Sequence, residues 1–539
     1  MRYSIAITFT LACLPWSSIR TMAAPDISIE PGGISTPLSL LWQTPGTAST
    51  AQLPLSANGS VYYAAGRVLH AVRGSDGASL WTYEGEANFT SAPALCGGSL
   101  YIGDGAGITR VDLKNGSLIW KKALGSPVHS TPISADGKLY FGSDDGRVYA
   151  MDPISDDLVW TFKASSPVMA QLAVCDNGDL LAASEDNSLY CLSGTTGRRK
   201  WRTSLPAVLT SPAYSSGVCY IGAGSDFYGI DSGSGTIRLK VHLDAGITSA
   251  PAVSDTGIFI TTDDHRCRAL SSRGSQIWTA DIGDNSAVPV LPAGKSVVVS
   301  TQHGVIFAYD SQTGKLLWNY VVQPKALSGQ MSVPVSQIYV GSTLYVLAGD
   351  GGLSAFEAQA SDKDSPIVAD MLPSSGTPVS GAQVPFAATV ADQGSGISPA
   401  TVSFTVDGVA LDSVRYFAAW NGVRVSANPD AASIQKPLTD GVHTATLKAT
   451  DWKGNTVTKT WNFTVDSKIA AVPAPDSHTK PLSSAYSSDP WTDPNYPYPK
   501  PSPDGDNRLQ RQQALQIYQT LMREYQQNGG PQPPLPPSY

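Results

Sequence analysis

The sequence has few charged residues and no excess of basic ones. Of its 539 residues, 36 are Lys or Arg and 44 are Asp or Glu, so the net charge is -8 and only 15% of the residues are charged. A protein that binds nucleic acid needs a basic patch to meet the phosphates. The composition excludes that role, and its 50 Gly and 39 Pro are typical of an all-β protein outside the cytoplasm.

Cysteine is scarce and is not spaced for a metal site. Besides Cys13 there are five cysteines, an odd number that cannot all pair with one another. Cys191 and Cys219 could approach each other if they lie on neighbouring sheets. No C-x-x-C spacing of the zinc-binding type occurs. We therefore expect the cysteines to be small buried side chains on strands.

Long apolar runs are missing except at the N-terminus. Arg2 precedes an apolar run of about ten residues, which is too short to span a bilayer but suits the core of a signal peptide. Thr21-Met22-Ala23 resembles a small-x-small cleavage site, so residues 1–23 are predicted to be a signal peptide. A lipid anchor at Cys13 is the alternative, although Thr10 stands where a lipobox has an aliphatic residue. We expect an exported protein, periplasmic or on the cell surface, with no transmembrane segment in the mature chain and with attachment to the outer membrane left open.

Tryptophan, in contrast, returns about every forty residues through the first two thirds of the chain. The series is interrupted once, at Leu239, and consists of Trp42, Trp81, Trp120, Trp160, Trp201, Trp278 and Trp318. A fixed period of this length indicates a propeller or another repeat array. Proline marks the start of most units, where the first residue of a strand needs no hydrogen-bond donor.

Each repeat unit contains short strands separated by polar turns. In the third unit, Lys138–Ser143 and Arg147–Asp152 flank the turn Asp144-Asp145-Gly146, which predicts an antiparallel hairpin. Eight units can be counted, but the eighth lacks its tryptophan, whereas Trp42 has no unit before it. We therefore expect residues 38–44 to supply the outer strand of the last unit. The sequence predicts an all-β, eight-bladed propeller over residues 38–358, closed by an N-terminal strand so that no sheet edge is exposed.

The repeat follows the pattern A-x-D-x-x-x-G-x-x-x-W, and its best copies are Ala308–Trp318, which matches in full, and Ala150–Trp160, which has Asp156 at the glycine position. This pattern resembles the tryptophan-docking repeat of quinoprotein (PQQ-type) propellers, and the resemblance covers about residues 40–358. In that family the tryptophan packs between neighbouring blades against the motif alanine and a glycine peptide. The resemblance thus implies that the seven tryptophans have a structural and not a catalytic role.

The same resemblance raises the alternative of a PQQ-dependent oxidoreductase. Many alcohol-oxidising members of the family have two adjacent cysteines beneath the cofactor, and this sequence has no Cys-Cys pair. The short repeat leaves little chain for a lid, and no Asp/Glu/Asn set matches the catalytic residues. His265 and His303 fall in corresponding hairpins but lack further metal ligands. We therefore expect no catalytic residue, no metal and no cofactor, while PQQ with calcium stays open as the alternative.

A set of acidic turn residues becomes a candidate binding site only if the fold is a propeller. The turns between the second and third strands of successive units contain acidic residues, and in a propeller these turns lie on one face. They are turn-favouring residues in any case, but together they predict an acidic ring that could bind a basic partner or, weakly, a cation. Its members are Asp104, Asp144, Asp145, Glu185, Asp186, Asp226, Asp263, Asp264 and Asp350.

The period ends after Phe356, and different modules follow. Alternating runs at 384–390, 401–406, 443–450 and 455–465 predict an Ig-like β-sandwich over residues 363–467. Residues 468–506 are a proline-rich linker, which cannot bury a core and is expected to be mostly disordered. Residues 507–527 predict an amphipathic helix, and 528–539 form a second proline-rich tail. The apolar stripe of this helix, which could dock on its own protein or bind a partner, contains Leu515, Tyr518, Met522 and Tyr525.

Short-looped propellers with this repeat and without a catalytic set resemble the outer-membrane assembly factors, which are non-enzymatic periplasmic scaffolds. The resemblance implies a protein-binding role, although the added sandwich and tail depart from that family. We expect an exported, non-enzymatic scaffold that binds cell-envelope proteins through its propeller and tail helix. Besides the oxidoreductase, a surface adhesin or glycan-binding protein is the remaining alternative.

Overall fold

The short alternating runs of the sequence form antiparallel strands, which the computed structural model describes over most of the first 469 residues. The predicted signal peptide, the proline-rich segments beyond residue 469 and the predicted helix with Leu515, Tyr518, Met522 and Tyr525 lie outside the described residues and stay predictions. Side chains are not described at 335–340, 415, 417 and 424–427. The described residues are 33–46, 48, 52–286, 288–302, 304–322, 335–375, 378–380, 384, 386–411, 414–418, 424–427 and 438–469.

Residues 39–357 form eight four-stranded antiparallel sheets, which we number by the order of their first strands. Sheet 1 comprises Leu55–Ala57, Ser60–Ala65, Val68–Arg73 and Ser79–Glu84. Sheet 2 comprises Ala94–Cys96, Ser99–Gly103, Gly107–Asp112 and Leu118–Ala123. Sheet 3 comprises Ile133–Ala135, Lys138–Gly142, Arg147–Met151 and Leu158–Lys163. Sheet 4 comprises Ala173–Val174, Leu180–Ser184, Ser188–Leu192 and Arg199–Ser204.

The next four sheets repeat this arrangement of consecutive hairpins. Sheet 5 comprises Ala213–Ser215, Val218–Ala223, Asp226–Asp231 and Ile237–His242. Sheet 6 comprises Ala252–Ser254, Gly257–Thr262, Arg266–Leu270 and Gln276–Asp281. Sheet 7 comprises Leu291–Ala293, Ser296–Ser300, Val305–Asp310 and Leu316–Val321. Sheet 8 comprises Val335–Val340, Thr343–Ala348, Leu353–Glu357 and the N-terminal strand Ser39–Gln43.

The N-terminal strand lies where the sequence pattern placed it. Ser39–Gln43 pairs antiparallel with Leu353–Glu357, so that Trp42 faces Ala355 across the two strands. The same alanine–tryptophan pairing occurs at Ala150–Trp160 in sheet 3. The first strands of sheets 1 and 8 also lie beside each other. Repeated four-stranded sheets of this kind are the architecture of a β-propeller.

The motif tryptophans pack between neighbouring sheets. The ring of Trp160 lies against Gly197 of sheet 4, where an added Cβ would come within 2.5 Å of the indole. Its Nε1 atom donates a hydrogen bond to the carbonyl oxygen of Gly194 at 2.9 Å. Equivalent hydrogen bonds to the following sheet are made by Trp42, Trp81, Trp201 and Trp278. Tryptophan and glycine therefore recur together because the indole fits only where the facing turn has no side chain.

Trp120 departs from this pattern. Its Nε1 atom is buried and has no hydrogen-bond partner. Arg110 occupies the motif-alanine position opposite Trp120, and Asp156, with a φ of 62°, occupies the motif-glycine position of the next sheet. Arg110 Nη1 lies 2.7 Å from Asp156 Oδ1. An ion pair thus takes the place of the indole hydrogen bond between sheets 2 and 3.

Residues 367–465 form two further four-stranded sheets, which we call the C-terminal module. In spatial order, sheet 9 comprises Ile367–Leu372, Phe386–Ala391, Arg424–Ala427 and Val414–Phe417. Sheet 10 comprises Val409–Ala410, Ser403–Val406, Gly441–Thr450 and Thr456–Val465. Phe386 of sheet 9 packs against Phe404 and Phe463 of sheet 10 at centroid distances of 5.5 and 5.8 Å. The two sheets therefore share one apolar core.

One predicted strand of this module begins later than the sequence pattern indicates. The predicted run 401–406 is a strand only at Ser403–Val406, because Pro399–Thr401 form a 3₁₀ turn. The hydroxyl of Thr401 donates a hydrogen bond to the carbonyl oxygen of Ser398 at 2.8 Å. Proline at the start of the turn and this local hydrogen bond both favour the turn over extended backbone.

The five cysteines in the described part of the chain are buried and form no disulfide with one another, as the sequence pattern indicated. Cys96, Cys191, Cys219 and Cys267 lie on strands, and Cys175 directly follows one. Burial raises the pKa of the Cys191 thiol to about 12, with a further increase from Asp179. At neutral pH this thiol therefore stays protonated and behaves as a small apolar group.

A loop of the C-terminal module, residues 392–396, contacts two sheets of the propeller. Gly394 accepts a hydrogen bond from the backbone N–H of Leu40 in sheet 8 at 2.7 Å. Trp318 Nε1 in sheet 7 donates to the carbonyl oxygen of Ser395 at 2.8 Å. Trp452 extends this contact by donating to Asn319 Oδ1 at 3.1 Å. The module is thus attached to the propeller at sheets 7 and 8.

Candidate functional site

A cavity of about 700 Å³ lies where the first strands of several sheets begin. Its walls come mainly from the loops that join the fourth strand of one sheet to the first strand of the next. These loops belong to sheets placed around the molecule, so the cavity marks the centre of one propeller face. Among the residues that line it are Gln52, Ala92, His129, Thr131, Gln171, Val208, Leu209, Thr210, Thr248 and Pro289.

The described part of the lining combines apolar side chains with polar ones that include no acidic residue, lysine or arginine. The 18 described lining residues include no Asp, Glu, Lys or Arg. A quinone cofactor that bears carboxylates needs cationic partners, and a calcium ion beside it needs carboxylate ligands. The lining therefore does not fit that pair of ligands. Its chemistry suits neutral groups that accept or donate hydrogen bonds.

Two lining residues offer such groups. Gln171 is only 9% exposed, and its Nε2 atom is buried without a hydrogen-bond partner. His129 is held by Asp144, whose Oδ1 atom lies 2.8 Å from Nδ1 of the imidazole. A buried donor without a partner is costly, so the amide of Gln171 is a point at which a bound group would gain a hydrogen bond.

The acidic turns lie on the same face as the cavity. Backbone hydrogen bonds connect them to the loops that line it: Asp144 N donates to Pro127 O, Glu185 N to Pro167 O, and Asp263 N to Gly246 O. The carbonyl oxygen of Asp104 accepts in the same way from Val128. For sheets 2, 3, 4 and 6 the structure therefore brings the predicted residues to the loops around the cavity.

Most of these carboxylates have partners within their own sheets. Asp104 is only 2% exposed and accepts hydrogen bonds from Ala106 N, Gly107 N and Thr109 Oγ1. Asp264 lies 2.5 Å from Arg268 Nη2, and Asp350 accepts from Gly352 N at 2.9 Å. Most of the acidic side chains on this face are therefore paired, and Glu185 and Asp263 are among those exposed to solvent.

Sheets 3, 4 and 5 share one arrangement of tyrosine, aspartate and cation. In sheet 5, Asp226 lies 2.9 Å from Lys240 Nζ and accepts a hydrogen bond from the hydroxyl of Tyr228 at 3.1 Å. His242, the largest cause, and Lys240 lower the pKa of Asp226 to about 2. The corresponding groups are Tyr149, Asp145 and Arg147 in sheet 3, and Tyr190, Asp186 and Arg202 in sheet 4.

Sequence reasoning identified the carboxylates but missed the cations that pair with them. The sequence did contain a signal for these cations, because a basic residue directly follows the tryptophan position in three units. These residues are Lys121, Arg202 and Lys240. Lys121 Nζ lies 3.4 Å from Asp104 Oδ2, and the other two pair with Asp186 and Asp226. An acidic turn followed by a basic fourth strand thus predicts an ion pair.

One side of the cavity mouth is apolar and protrudes. Ala207, Val208 and Leu209 line it from the loop between sheets 4 and 5, and Val208 is 67% exposed. Met169 adds a flexible apolar side chain to the same lining. Together these side chains form a small apolar patch at the cavity mouth.

Fold and repeat together define the class of protein, a β-propeller built from PQQ-type repeats. The family model described as outer membrane protein assembly factor BamB matches residues 64–172, 144–238 and 228–394, which together exceed half of the chain. The chain therefore belongs to this family. Among the described residues, no helix has the length and apolar character to cross a membrane.

The similar proteins have more than one function. Tetrathionate hydrolase of Acidithiobacillus ferrooxidans is 24% identical over 234 residues, which cover 38% of this chain and 46% of that protein. BamB of Nitrosomonas eutropha is 27% identical over 202 residues, which cover 34% of this chain and 48% of that protein. The chain thus spans about half the length of these relatives. Sqt1 of Saccharomyces cerevisiae has a TM-score of 0.52 at 14% identity, covering 60% of this chain and 99% of that one, and this likeness shows the fold alone.

Proposed function

We propose that this protein is a non-enzymatic scaffold of the bacterial cell envelope that binds a partner protein at the cavity face of its propeller. In this proposal the eight sheets are the blades of a closed propeller, the C-terminal module is an Ig-like sandwich, and the chain is exported to the periplasm or the cell surface. The family match over residues 64–394 is the observation that carries the proposal. It places the chain with proteins named for outer-membrane protein assembly.

The chemistry of the cavity face supports binding over catalysis. Its lining has neither a carboxylate nor a lysine or arginine among the described residues, so the imidazole of His129 is the one lining side chain there that could act as a general base. Exposed Val208 and the neighbouring Tyr–Asp–cation groups instead supply an apolar contact beside polar ones. Such a combination favours contact with a protein surface.

The mutation Val208→Glu tests this proposal. Full-length protein, purified with cross-linking from its native envelope, should recover one partner in near-stoichiometric amount. Burying a carboxylate in the interface should reduce that recovery at least tenfold, which corresponds to about 1.4 kcal/mol of binding free energy. The matched control is Ile154→Glu, since Ile154 is 90% exposed but lies in the turn between the third and fourth strands, at the opposite face.

Two outcomes contradict the proposal. If Val208→Glu and Ile154→Glu recover the partner as well as the wild type does, the cavity face is not the binding surface. If the wild type recovers no stoichiometric partner, the scaffold role itself is wrong.

The match to a tetrathionate hydrolase makes an enzyme the second candidate. An enzyme in this fold would use the same cavity, where Gln171 and His129 are the groups available to a substrate. Turnover of tetrathionate by purified protein, abolished by His129→Ala, would favour the enzyme over the scaffold. We propose the scaffold because His129 alone does not form a catalytic set.

A further inference from the structure

Three aspartates converge where the C-terminal module meets the propeller. Asp362 lies in the connection after sheet 8, Asp392 follows strand Phe386–Ala391, and Asp451 follows strand Gly441–Thr450. One carboxylate oxygen from each residue lies within 4.8 Å of those of the other two. Asp392 and Asp451 are only 6% and 2% exposed. Three negative charges at this spacing and burial repel one another strongly unless a positive charge lies between them.

No basic side chain supplies that charge. Among the described residues none forms an ion pair with these three aspartates, and the nearby Lys453 directs its Nζ atom to the carbonyl oxygen of Ala358 at 2.8 Å. Backbone N–H groups donate to Asp392 Oδ2 and to Asp451 Oδ1, but these neutral donors leave the charge of the three carboxylates without a cationic partner among the described residues.

Two buried oxygen atoms without hydrogen-bond partners belong to this cluster and to the loop that follows Asp392. The Oδ2 atom of Asp362 is buried and accepts no hydrogen bond, and a Cβ on Gly394 would lie 2.2 Å from its carboxylate carbon. Loop 392–396 therefore closes directly over this carboxylate. Ser395 is fully buried at 0% exposure, and its Oγ atom also has no partner, while its backbone N–H donates to Asp392 Oδ2 at 2.8 Å. Orphaned buried oxygens cost free energy unless a ligand satisfies them.

The donor set defines the kind of ligand. All the groups that converge here are oxygens, which bind hard cations, and no imidazole or thiol that would favour zinc or copper is among them. Calcium accepts six to eight oxygen ligands in flexible arrangements, whereas magnesium requires a near-ideal octahedron and retains water. A buried site built from three separate chain segments suits calcium better.

We propose that Asp362, Asp392 and Asp451 bind a calcium ion that fastens the C-terminal module to the propeller. The ion neutralises the three carboxylates and orders loop 392–396. The same loop contacts Trp318 of sheet 7 and Leu40 of sheet 8. Calcium binding therefore stabilises the attachment of the module as well as the loop. This site is separate from the cavity face and does not depend on the function proposed for it.

The experiment is a calcium titration of the full chain after treatment with EDTA. Isothermal calorimetry should show one Ca²⁺ bound per chain, and Ca²⁺ should raise the melting temperature, because a ligand that binds only the folded state stabilises it. Asp362→Asn should reduce the affinity at least tenfold. This substitution is chosen because Oδ2 of Asp362 accepts no hydrogen bond, so the amide breaks none there. The matched control is Asp364→Asn, an exposed carboxylate two residues away, which should bind as the wild type does.

Several results would overturn the proposal. If the wild type shows neither binding heat nor a shift in melting temperature at millimolar Ca²⁺, the proposal is wrong, and this measurement requires no variant. Equal affinities of wild type and Asp362→Asn would assign the bound calcium to another place. An equal loss in Asp364→Asn would indicate diffuse attraction to acidic surface, and an equal melting shift with Mg²⁺ would contradict the choice of calcium.

Discussion

Trp318 of sheet 7 donates its indole hydrogen bond to the carbonyl oxygen of Ser395, 77 residues downstream in the C-terminal module. The other docked tryptophans donate to the following sheet of the propeller, such as Trp278 to Ser311. Sheet 8 has no docking turn, and Asp392-Gln393-Gly394-Ser395-Gly396 takes its place with the same D-x-x-x-G spacing. The C-terminal module thus completes the packing of the last tryptophan.

Gly396 of this loop combines a backbone conformation that favours glycine with a lack of space for a side chain. Its φ is 81°, and an added Cβ would lie 2.5 Å from the carbonyl oxygen of Asn319. We expect Gly396→Ala to reduce the free energy of unfolding by about 2–3 kcal/mol, from backbone strain plus displacement of the loop. Chemical denaturation measures this change.

The control separates strain from contact. Gly408 has a nearly identical φ of 79° but no atom within 4 Å of an added Cβ. Gly408→Ala should cost only about 1–2 kcal/mol, from backbone strain alone. Equal losses in the two variants would mean that the contact with Asn319 contributes nothing.

Trp160 tests the packing role of the repeat. Trp160→Ala removes a large aromatic group between sheets 3 and 4 and should cost about 3–5 kcal/mol in denaturant melts. Trp160→Phe keeps most of the packing but removes the hydrogen bond to Gly194, and about 1 kcal/mol should be lost. A loss below about 1 kcal/mol for Trp160→Ala would contradict the docking role.

Arg110 and Asp156 should be energetically coupled. Either Arg110→Ala or Asp156→Gly leaves a partly buried charge without its partner, and each should cost about 1–3 kcal/mol. The double variant restores the alanine and glycine of the motif, so that Trp120 can dock as the other tryptophans do. We expect a coupling of about 1 kcal/mol or more in a double-mutant cycle, whereas additive losses would show that the two substitutions are independent.

His443 and Asp407 should make the stability of the C-terminal module depend on pH. Nδ1 of His443 lies 2.6 Å from Asp407 Oδ2, and Nε2 lies 2.7 Å from the carbonyl oxygen of Thr439. Both ring nitrogens therefore face acceptors, which favours the protonated imidazole. Burial acts against this charge, but the two hydrogen bonds outweigh it and raise the pKa of His443 above 6.5. The hydrogen bond with His443 lowers the pKa of Asp407 below 3.8.

The direction of the pH effect follows from these shifts. The contribution of His443 is complete below pH 6.5 and is lost as the pH rises through its folded-state pKa. That of Asp407 is present above pH 3.8 and is lost as the pH falls. The range from about pH 5 to about pH 8 spans the ordinary pKa of about 6.5 for histidine. Over this range, the melting temperature of the wild type should fall further than that of His443→Gln. Identical pH profiles would show that the pair does not contribute.

Much of the propeller could be predicted because its information is local and repeated. The pairing of Ser39–Gln43 with the last strand followed from a tryptophan without a unit and a unit without a tryptophan. The acidic turns were visible for the same reason. The cations that neutralise them recur just as regularly but were missed, because Lys121, Arg202 and Lys240 lie on the fourth strand and reach Asp104, Asp186 and Asp226 only through the register of the third and fourth strands.

By itself, the sequence determined the repeat period and most of the strands, because side-chain alternation acts over a few residues and recurs in each unit, while the resemblance to a known repeat implied the tryptophan–glycine contacts. Only the tertiary structure decided that Arg110 and Asp156 replace one of these contacts, that loop 392–396 receives Trp318, and that Asp362, Asp392 and Asp451 meet. These relationships join segments that are far apart in the chain. They depend on how complete sheets pack against one another, and no local pattern encodes that packing.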